Sequence, residues 1–157
     1  MRKLAFTILA VLVLALAIAV TACGKEDDSS TQLSLNDIST AIKSAVEYPE
    51  TMEEVTDTQR LKDDWGLEEE YYEEVYAIQS PITVHLYEMV VVKAKDGHSE
   101  DLQDALKGRI ERLKKEYAFY PNQVDIANAA VVGSKGDYVY LIAHENAADA
   151  KKAIDNL

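Results

Sequence analysis

The only thiol of the chain belongs to Cys23, and its surroundings indicate what that sulfur does. Cys23 follows the apolar run Leu4–Ala22, and the basic residues Arg2 and Lys3 stand before that run. A basic start, an apolar stretch and small residues at its end are typical of a secretory signal. A single cysteine in an exported protein forms no internal disulfide, so its sulfur is available for another covalent bond.

The segment Val20–Cys23 resembles the bacterial lipobox, in which a branched residue and two small residues precede a cysteine. The resemblance implies that cleavage falls between Ala22 and Cys23 and that the sulfur receives a diacylglyceryl group. One acyl chain holds a protein to a membrane only marginally, whereas two hold it durably. The alternative is an uncut signal-anchor helix, because the apolar run is close to the roughly 20 residues that span a bilayer. In both cases Arg2 and Lys3 favour a globular part outside the cytoplasm.

Glu88 is the carboxylate whose neighbours suggest chemistry, because it lies between Leu86 and Val90 on one face of a predicted strand. Burial among apolar neighbours favours the protonated form of a carboxylate and is a mark of acid–base sites. Glu88 is therefore a candidate perturbed acid. Two alternatives stay open: the start of the strand is exposed and Glu88 is solvated, or Arg109 or Lys107 pairs with it.

Three histidines, His85, His98 and His144, stand at the boundaries of predicted elements. None has a second histidine at helical metal-ligand spacing, and we predict no metal centre. His98 and His144 both follow strands, and if those two turns meet at one edge of the sheet, their imidazoles approach closely enough to share a metal. Acidic runs such as Glu68–Glu70 lack the spacing of a calcium loop and are interpreted as a solvated face.

Motifs of common catalytic sites are missing from the sequence. It contains no Gly-x-Ser-x-Gly elbow, no phosphate-binding Gly-rich loop and no His-Glu-x-x-His. Acylation of Cys23 removes the one thiol nucleophile, so we predict no catalytic residue and no cofactor. Loss of Arg2 and Lys3 with the signal takes the formal charge from −12 to −14. An acidic surface repels nucleic acid, which we exclude as a partner.

Aromatic side chains cluster at the end of the longest predicted helix, at Tyr117, Phe119 and Tyr120. Tyrosines are most often packing residues. An exposed aromatic group at a helix end is instead a contact site for sugar or protein, because such rings combine an apolar body with specific geometry. These three residues are the candidate contact surface.

Periodicity and turn residues predict the elements that position these side chains. Residues 23–33 form the lipidated cysteine and a flexible polar tether, and residues 34–157 form one domain. Helices are predicted over 34–48, 57–65, 99–117 and after Asn146, with a helical turn at 123–128. Strands are predicted over 84–95, 129–134 and 137–144, while 68–79 fits a helix or a strand, with a preference for a strand in its second half.

These elements predict an α+β domain: a small, mostly antiparallel four-stranded sheet with helices packed on one face. A strand, a turn and an amphipathic helix occur at 89–110 and again at 139–157. If 72–79 is a strand, each half has the order strand, strand, helix, which suggests a ββα pseudo-repeat. Glycines at Gly133 and Gly136 are expected to allow positive φ in the last hairpin.

Several segments together resemble the uncharacterised bacterial lipoproteins of domain of unknown function 4358. They are the strand segment Glu88–Asp96, the helix Leu102–Leu113, Tyr120-Pro121 and Gly136–Val139, together with the lipobox. The resemblance implies a lipid-anchored protein of the bacterial envelope. It implies no activity, cofactor or active-site residue.

The sequence therefore predicts a lipoprotein on the extracytoplasmic face of the cell membrane. Its domain is expected to be a non-enzymatic binding or scaffolding module, with the membrane as one partner through Cys23 and an envelope protein as another. The first alternative is a receptor for a small ligand or a cation. The second is an envelope hydrolase, which requires two carboxylates facing each other in a cleft. The sequence does not determine the oligomeric state.

Overall fold

The computed structural model describes residues 33–82 and 85–157. The predicted signal peptide, the cleavage site, Cys23 and residues 24–32 of the predicted tether lie outside the described residues. The described part is an α+β domain built on a single antiparallel sheet.

Five α-helices and five strands occur in the described ranges. The helices are α1 (Leu35–Ala45), α2 (Thr58–Trp65), α3 (Ser99–Arg112), α4 (Pro121–Ala129) and α5 (Ala147–Asp155), and a π-helical turn over Leu113–Tyr117 continues α3. The strands are β1 (Glu53–Glu54), β2 (Tyr72–Gln79), β3 (Glu88–Ala94), β4 (Val131–Lys135) and β5 (Tyr138–Ala143). The ambiguous segment is thus a strand from Tyr72 onward.

The first two helices are bounded by capping residues. Ser34 caps α1 and shares a capping box with Asp37, whose pKa is lowered by hydrogen bonds from the Ser34 hydroxyl and backbone. Asp57 caps α2 by accepting from the backbone N–H of Arg60 at 2.8 Å. Gly66 ends α2 with φ of +73°, a conformation that glycine adopts without a Cβ penalty.

The sheet has the strand order β1-β2-β3-β5-β4, and every neighbouring pair is antiparallel. The prediction of four strands is wrong, because β1 pairs with the end of β2 through Glu53↔Gln79 and Glu54↔Ile78. A strand of two glutamates has no hydrophobic alternation, so no sequence pattern announces it.

Helices cover both faces of the sheet, and the prediction that they pack on one face is also wrong. On one face, α2, α3 and α4 pack over Val90, Val92 and Leu141. On the other face, α1 and α5 pack over Val91 and Ile142. The two central strands, β3 and β5, are buried on both sides because each presents apolar side chains in both directions.

The ββα pseudo-repeat is not confirmed. The order strand, strand, helix does recur in β2-β3-α3 and β4-β5-α5. However, α3 packs on one face of the sheet and α5 on the other. A two-fold rotation that exchanges antiparallel neighbours keeps both helices on the same face, so the recurrence is one of element order alone.

Candidate functional site

Glu88 begins β3 and points into the core under α2 and α3, where it forms a buried ion pair with Arg109. The side chains of Glu88 and Arg109 are only 5% and 8% exposed. Arg109 donates from Nη2 to Oε1 of Glu88 and from Nε to Oε2 at 3.1 Å. The indole Nε1 of Trp65, in the last turn of α2, also donates to Oε2 at 2.8 Å. Both carboxylate oxygens are therefore occupied by donors.

The surroundings of this pair stabilise the charged form of Arg109. Burial alone lowers the pKa of Arg109, but the hydrogen bonds and the negative charge of Glu88 outweigh it and raise that pKa above its ordinary value. A bidentate pair of this kind is stronger than a neutral hydrogen bond and has fixed geometry. Of the alternatives left open by the sequence, the structure shows Glu88 buried and partnered by Arg109, whereas Lys107 pairs with Asp104 on the exposed side of α3.

Cross-strand pairing extends this polar site along one end of the sheet. Gln79 is the register partner of Glu88, and Glu53 is the register partner of Gln79. Direct partners in an antiparallel sheet lie on the same face, about 5 Å apart. Glu53, Gln79 and Glu88 therefore form a row on the face covered by α2 and α3, which we call the polar row.

A cleft of about 300 Å³ opens above the polar row. Helix α2 lines it with Arg60 and Asp64, and α3 with its π-helical turn lines it with Arg109, Leu113 and Tyr117. The segment before β3 completes the lining with His85, Leu86 and Tyr87. The cleft is thus polar at its floor and partly aromatic at its walls.

The π-helical turn places Tyr117 at this cleft. In an α-helix of 3.6 residues per turn, a residue eight positions beyond Arg109 lies about 80° further round the axis. The turn over Leu113–Tyr117 closes with an i→i+5 bond, in which Ala118 N donates to Leu113 O at 3.0 Å. Such a turn holds more residues than an α-turn and reduces that angle. The ring centroid of Tyr117 consequently lies 5.4 Å from the guanidinium carbon of Arg109.

The candidate contact surface, Tyr117, Phe119 and Tyr120, lies beside the cleft, and we call it the aromatic patch. Phe119 is 76% exposed and Tyr120 is 60% exposed. The buried side chain of Gln123 accepts from the backbone N–H groups of both residues at 3.0 Å. Pro121 then starts α4. The backbone at Phe119 and Tyr120 is therefore held by Gln123 while the rings of these two residues face solvent.

The histidines do not assemble into one site. Because β3 and β5 are antiparallel and Ala143 pairs with Glu88, His144 lies at the end of the sheet where β3 begins. His98 follows the opposite end of β3, so the hypothesis that His98 and His144 share a metal is wrong. His98 instead pairs with Asp101 at 2.9 Å.

His144 belongs to a buried aromatic cluster next to the cleft. Its Nδ1 accepts from the backbone of Asn146 at 3.0 Å, and its Nε2 lies 3.2 Å from the carbonyl of Glu47. The ring of Tyr48 packs against it at 5.3 Å, and that of Tyr87 at 5.2 Å. Burial raises the pKa of both tyrosines, and nearby negative charges raise it further. His144 is therefore a packed and hydrogen-bonded core histidine.

Within residues 33–82 and 85–157, no group of three metal-ligating side chains is placed to hold a metal ion. The predicted acidic face contains surface ion pairs, such as Glu68 with Lys62 at 2.9 Å and Glu73 with Lys93 at 2.6 Å. In the same described ranges, no helix has the length and apolar character needed to cross a membrane.

The cleft and the two covered sheet faces define a small α+β domain of three layers, with helices on either side of an antiparallel sheet. The chain belongs to the family described as Domain of unknown function (DUF4358), whose model matches residues 44–144. The matched segment begins within α1 and ends directly after β5, so it contains all five strands and the cleft. The family expected from the sequence is confirmed. No curated protein and no solved structure matches the chain.

The sequence predicted Glu88, Arg109 and the aromatic patch as candidates, but it did not predict the residues that complete the site around them. Trp65 was not predicted to belong to the site, although a buried indole N–H needs an acceptor and Glu88 supplies one. The contributions of Glu53 and Gln79 depend on a two-residue strand. No signal in the sequence located that strand or the π-helical turn.

Proposed function

We propose that the chain is a lipoprotein, anchored through Cys23 on the extracytoplasmic face of the cell membrane. Its domain is proposed to be a non-enzymatic binding or scaffolding module of the envelope. The observation that carries the binding function is the aromatic patch, because exposed rings on a fixed backbone are typical of contact surfaces.

The distribution of exposed apolar side chains supports this proposal. Six large hydrophobic residues of the described ranges are exposed, and four of them lie within residues 117–124: Tyr117, Phe119, Tyr120 and Val124. Scattered exposed apolar residues are normal, whereas a local concentration marks an interaction site. Gln123 fixes the backbone beneath, so little ordering is required when a partner binds.

The geometry of Glu88 favours a binding module over a carboxylate-based hydrolase. A general acid needs a proton to give, and a nucleophile needs a free lone pair aimed at the substrate. Both oxygens of Glu88 are held by donors from Arg109 and Trp65, and its side chain is 5% exposed. Glu53 lines the same cleft but has no second free carboxylate facing it in the polar row.

Photo-crosslinking on intact cells tests the proposal. A photoreactive phenylalanine analogue at position 119 of the full-length lipoprotein is expected to capture one or a few envelope proteins, which mass spectrometry identifies. The matched control places the same analogue at Glu100, which is exposed in the first turn of α3, at the opposite end of that helix. Identical background from both positions contradicts a contact surface at the patch.

A second candidate function is a small-ligand receptor that uses the cleft. One observation favours it: a depression of about 300 Å³ has both aromatic and polar side chains in its lining. Ligand sites in proteins combine an apolar wall with a few placed polar groups in this way. This function differs from the first in predicting a ligand-dependent rise in melting temperature of the purified protein.

A further inference from the structure

We infer that the cleft binds a saccharide unit of a neutral glycan through Glu53, Gln79 and Tyr117. This inference rests on the second candidate function, the cleft as a ligand site, which shares only Tyr117 with the aromatic patch. It assigns the ligand class from three properties of the lining: free hydrogen-bonding groups, a single unpaired carboxylate and a ring with remaining surface.

Free hydrogen-bonding groups come from the polar row. Within the described ranges, the side chains of Glu53 and Gln79 make no hydrogen bond or ion pair, and they lie side by side in register. A carboxylate accepts two hydroxyl hydrogens, and a primary amide both donates and accepts. Two planar groups of this kind, about 5 Å apart on one sheet face, match adjacent hydroxyl groups of a sugar ring.

The charges of the cleft leave little attraction for an anion. Arg60 pairs with Asp64 at 3.8 Å, and Arg109 pairs with Glu88 at the floor. Among the carboxylate and guanidinium groups that line the cleft in the described ranges, Glu53 alone is unpaired. A single carboxylate beside a neutral amide suits hydroxyl donors, whereas a phosphate or carboxylate ligand would be repelled.

Tyr117 distinguishes a sugar from an ammonium ligand. Its π-system already holds the guanidinium of Arg109, 5.4 Å from the ring centroid. A second cation on that ring would meet a π-system already polarised by Arg109 and would be repelled by the positive charge of Arg109. The side chain of Tyr117 remains 40% exposed, so it keeps apolar surface on which the C–H face of a sugar can stack.

The volume agrees with a short saccharide. Ligand sites span about 300 to 1,000 Å³, and the cleft is at the lower end of that range. One or two sugar units fill such a space, with the remainder of a glycan chain outside the cleft.

Titration of the full-length protein with N,N′-diacetylchitobiose tests the inference, in a detergent without a sugar headgroup. Binding of the disaccharide is followed by NMR through two signals of the protein. They are the side-chain amide of Gln79 and the indole N–H of Trp65, the only tryptophan in the chain. We expect saturable shifts of both signals. Gln79→Ala is expected to weaken binding by about tenfold, because the ligand loses the groups that pair with two hydroxyls. Tyr120→Ala, outside the cleft lining, is the matched control and should bind normally.

Three outcomes overturn the inference in different ways. Absence of saturation with the disaccharide, while choline chloride saturates the same signals, makes the cleft a cation site and refutes the saccharide assignment alone. Absence of saturation with both probes refutes the cleft as a ligand site as well. Loss of binding in Tyr120→Ala together with normal binding in Gln79→Ala moves the site to the aromatic patch.

Discussion

The buried Glu88–Arg109 pair is the feature that organises the site at the scale of single residues. A carboxylate among apolar neighbours is costly unless it is paired and hydrogen-bonded. Arg109 supplies the charge, and Trp65 supplies a further donor to the same carboxylate. The sequence predicted the apolar neighbours of Glu88 and named Arg109 as one partner. It did not predict Trp65, because a neutral indole N–H is a less obvious partner for a carboxylate than a positive charge.

Removal of Arg109 alone should destabilise the domain strongly. Arg109→Met leaves the Glu88 carboxylate buried without a counter-charge, and breaking one partner of a buried pair costs about 3–5 kcal/mol. The free energy of unfolding from urea titration, followed through Trp65 fluorescence, measures the effect. Lys107→Met on the exposed side of the same helix is the control and should change stability by less than about 0.5 kcal/mol.

The double variant Glu88→Leu/Arg109→Met separates charge from packing. Apolar replacements of similar volume for a buried ion pair are often neutral or stabilising. We therefore expect the double variant to regain part of the stability that Arg109→Met loses, because Glu88→Leu also leaves the indole N–H of Trp65 without its acceptor. If the two losses simply add, the pair is not the source of the effect.

At the scale of elements, the hydrophobic patterns predicted the long helices, and the local chemistry of short segments decided the rest. Helix α1 begins within one residue of its predicted start, and α2 ends at Trp65, as predicted. Strand β1 and the π-helical turn were not predicted, because neither has a periodic pattern of its own. The helices on both faces were predictable from β3, whose alternate side chains are apolar in both directions.

Glycine is required at position 133, but not for the positive φ that the sequence predicted. Only Gly66, Gly97 and Gly136 have positive φ among the described residues, so Gly136 confirms the prediction and Gly133 does not. Gly133 is the register partner of Tyr140, and the ring of Tyr140 lies where a Cβ on Gly133 would be. The missing side chain is required for space, as in other sheets where an aromatic ring covers a glycine.

Gly133→Ala should therefore destabilise the domain, while Gly108→Ala should stabilise it. A methyl group at position 133 forces the buried Tyr140 ring out of place, and overpacking of this kind costs about 1–3 kcal/mol. Gly108 is exposed inside α3 with no heavy atom near a new Cβ, so alanine there adds up to about 1 kcal/mol through helix propensity. Chemical denaturation of both variants measures the two opposite signs, and equal signs would contradict the assignment for Gly133.

At the scale of the whole molecule, the sequence predicted the α+β class and the family, but not the layering. The pairing of β3 with β5 joins distant segments, such as Val90 with Leu141, whereas β4 and β5 form a local hairpin. The assumed two-fold relation between the halves led to helices on one face, whereas α3 and α5 lie on opposite faces. A pattern of element order does not determine which side of a sheet a helix takes.

The proposed localisation at the cell membrane depends on Cys23. Cys23→Ser removes the sulfur to which a diacylglyceryl group is attached, so we expect the protein to leave the detergent-soluble membrane fraction or to remain as an unprocessed precursor. Cell fractionation and intact mass measure the change. The control is Ser44→Ala, an exposed position in α1 that should not alter fractionation. A wild-type protein with a free thiol and an intact Met1 contradicts the lipoprotein proposal.

The π-helical turn also makes the chain sensitive to length at one place. Deletion of a single residue between Leu113 and Tyr117 would restore ordinary α-helical winding and rotate the tyrosine away from the guanidinium of Arg109. Homologous domains that share this cleft should therefore keep a constant number of residues from the arginine to the aromatic ring, even where the amino acids in between diverge. In such homologues, the number of residues between the arginine and the aromatic ring should be kept more strictly than the identity of those residues.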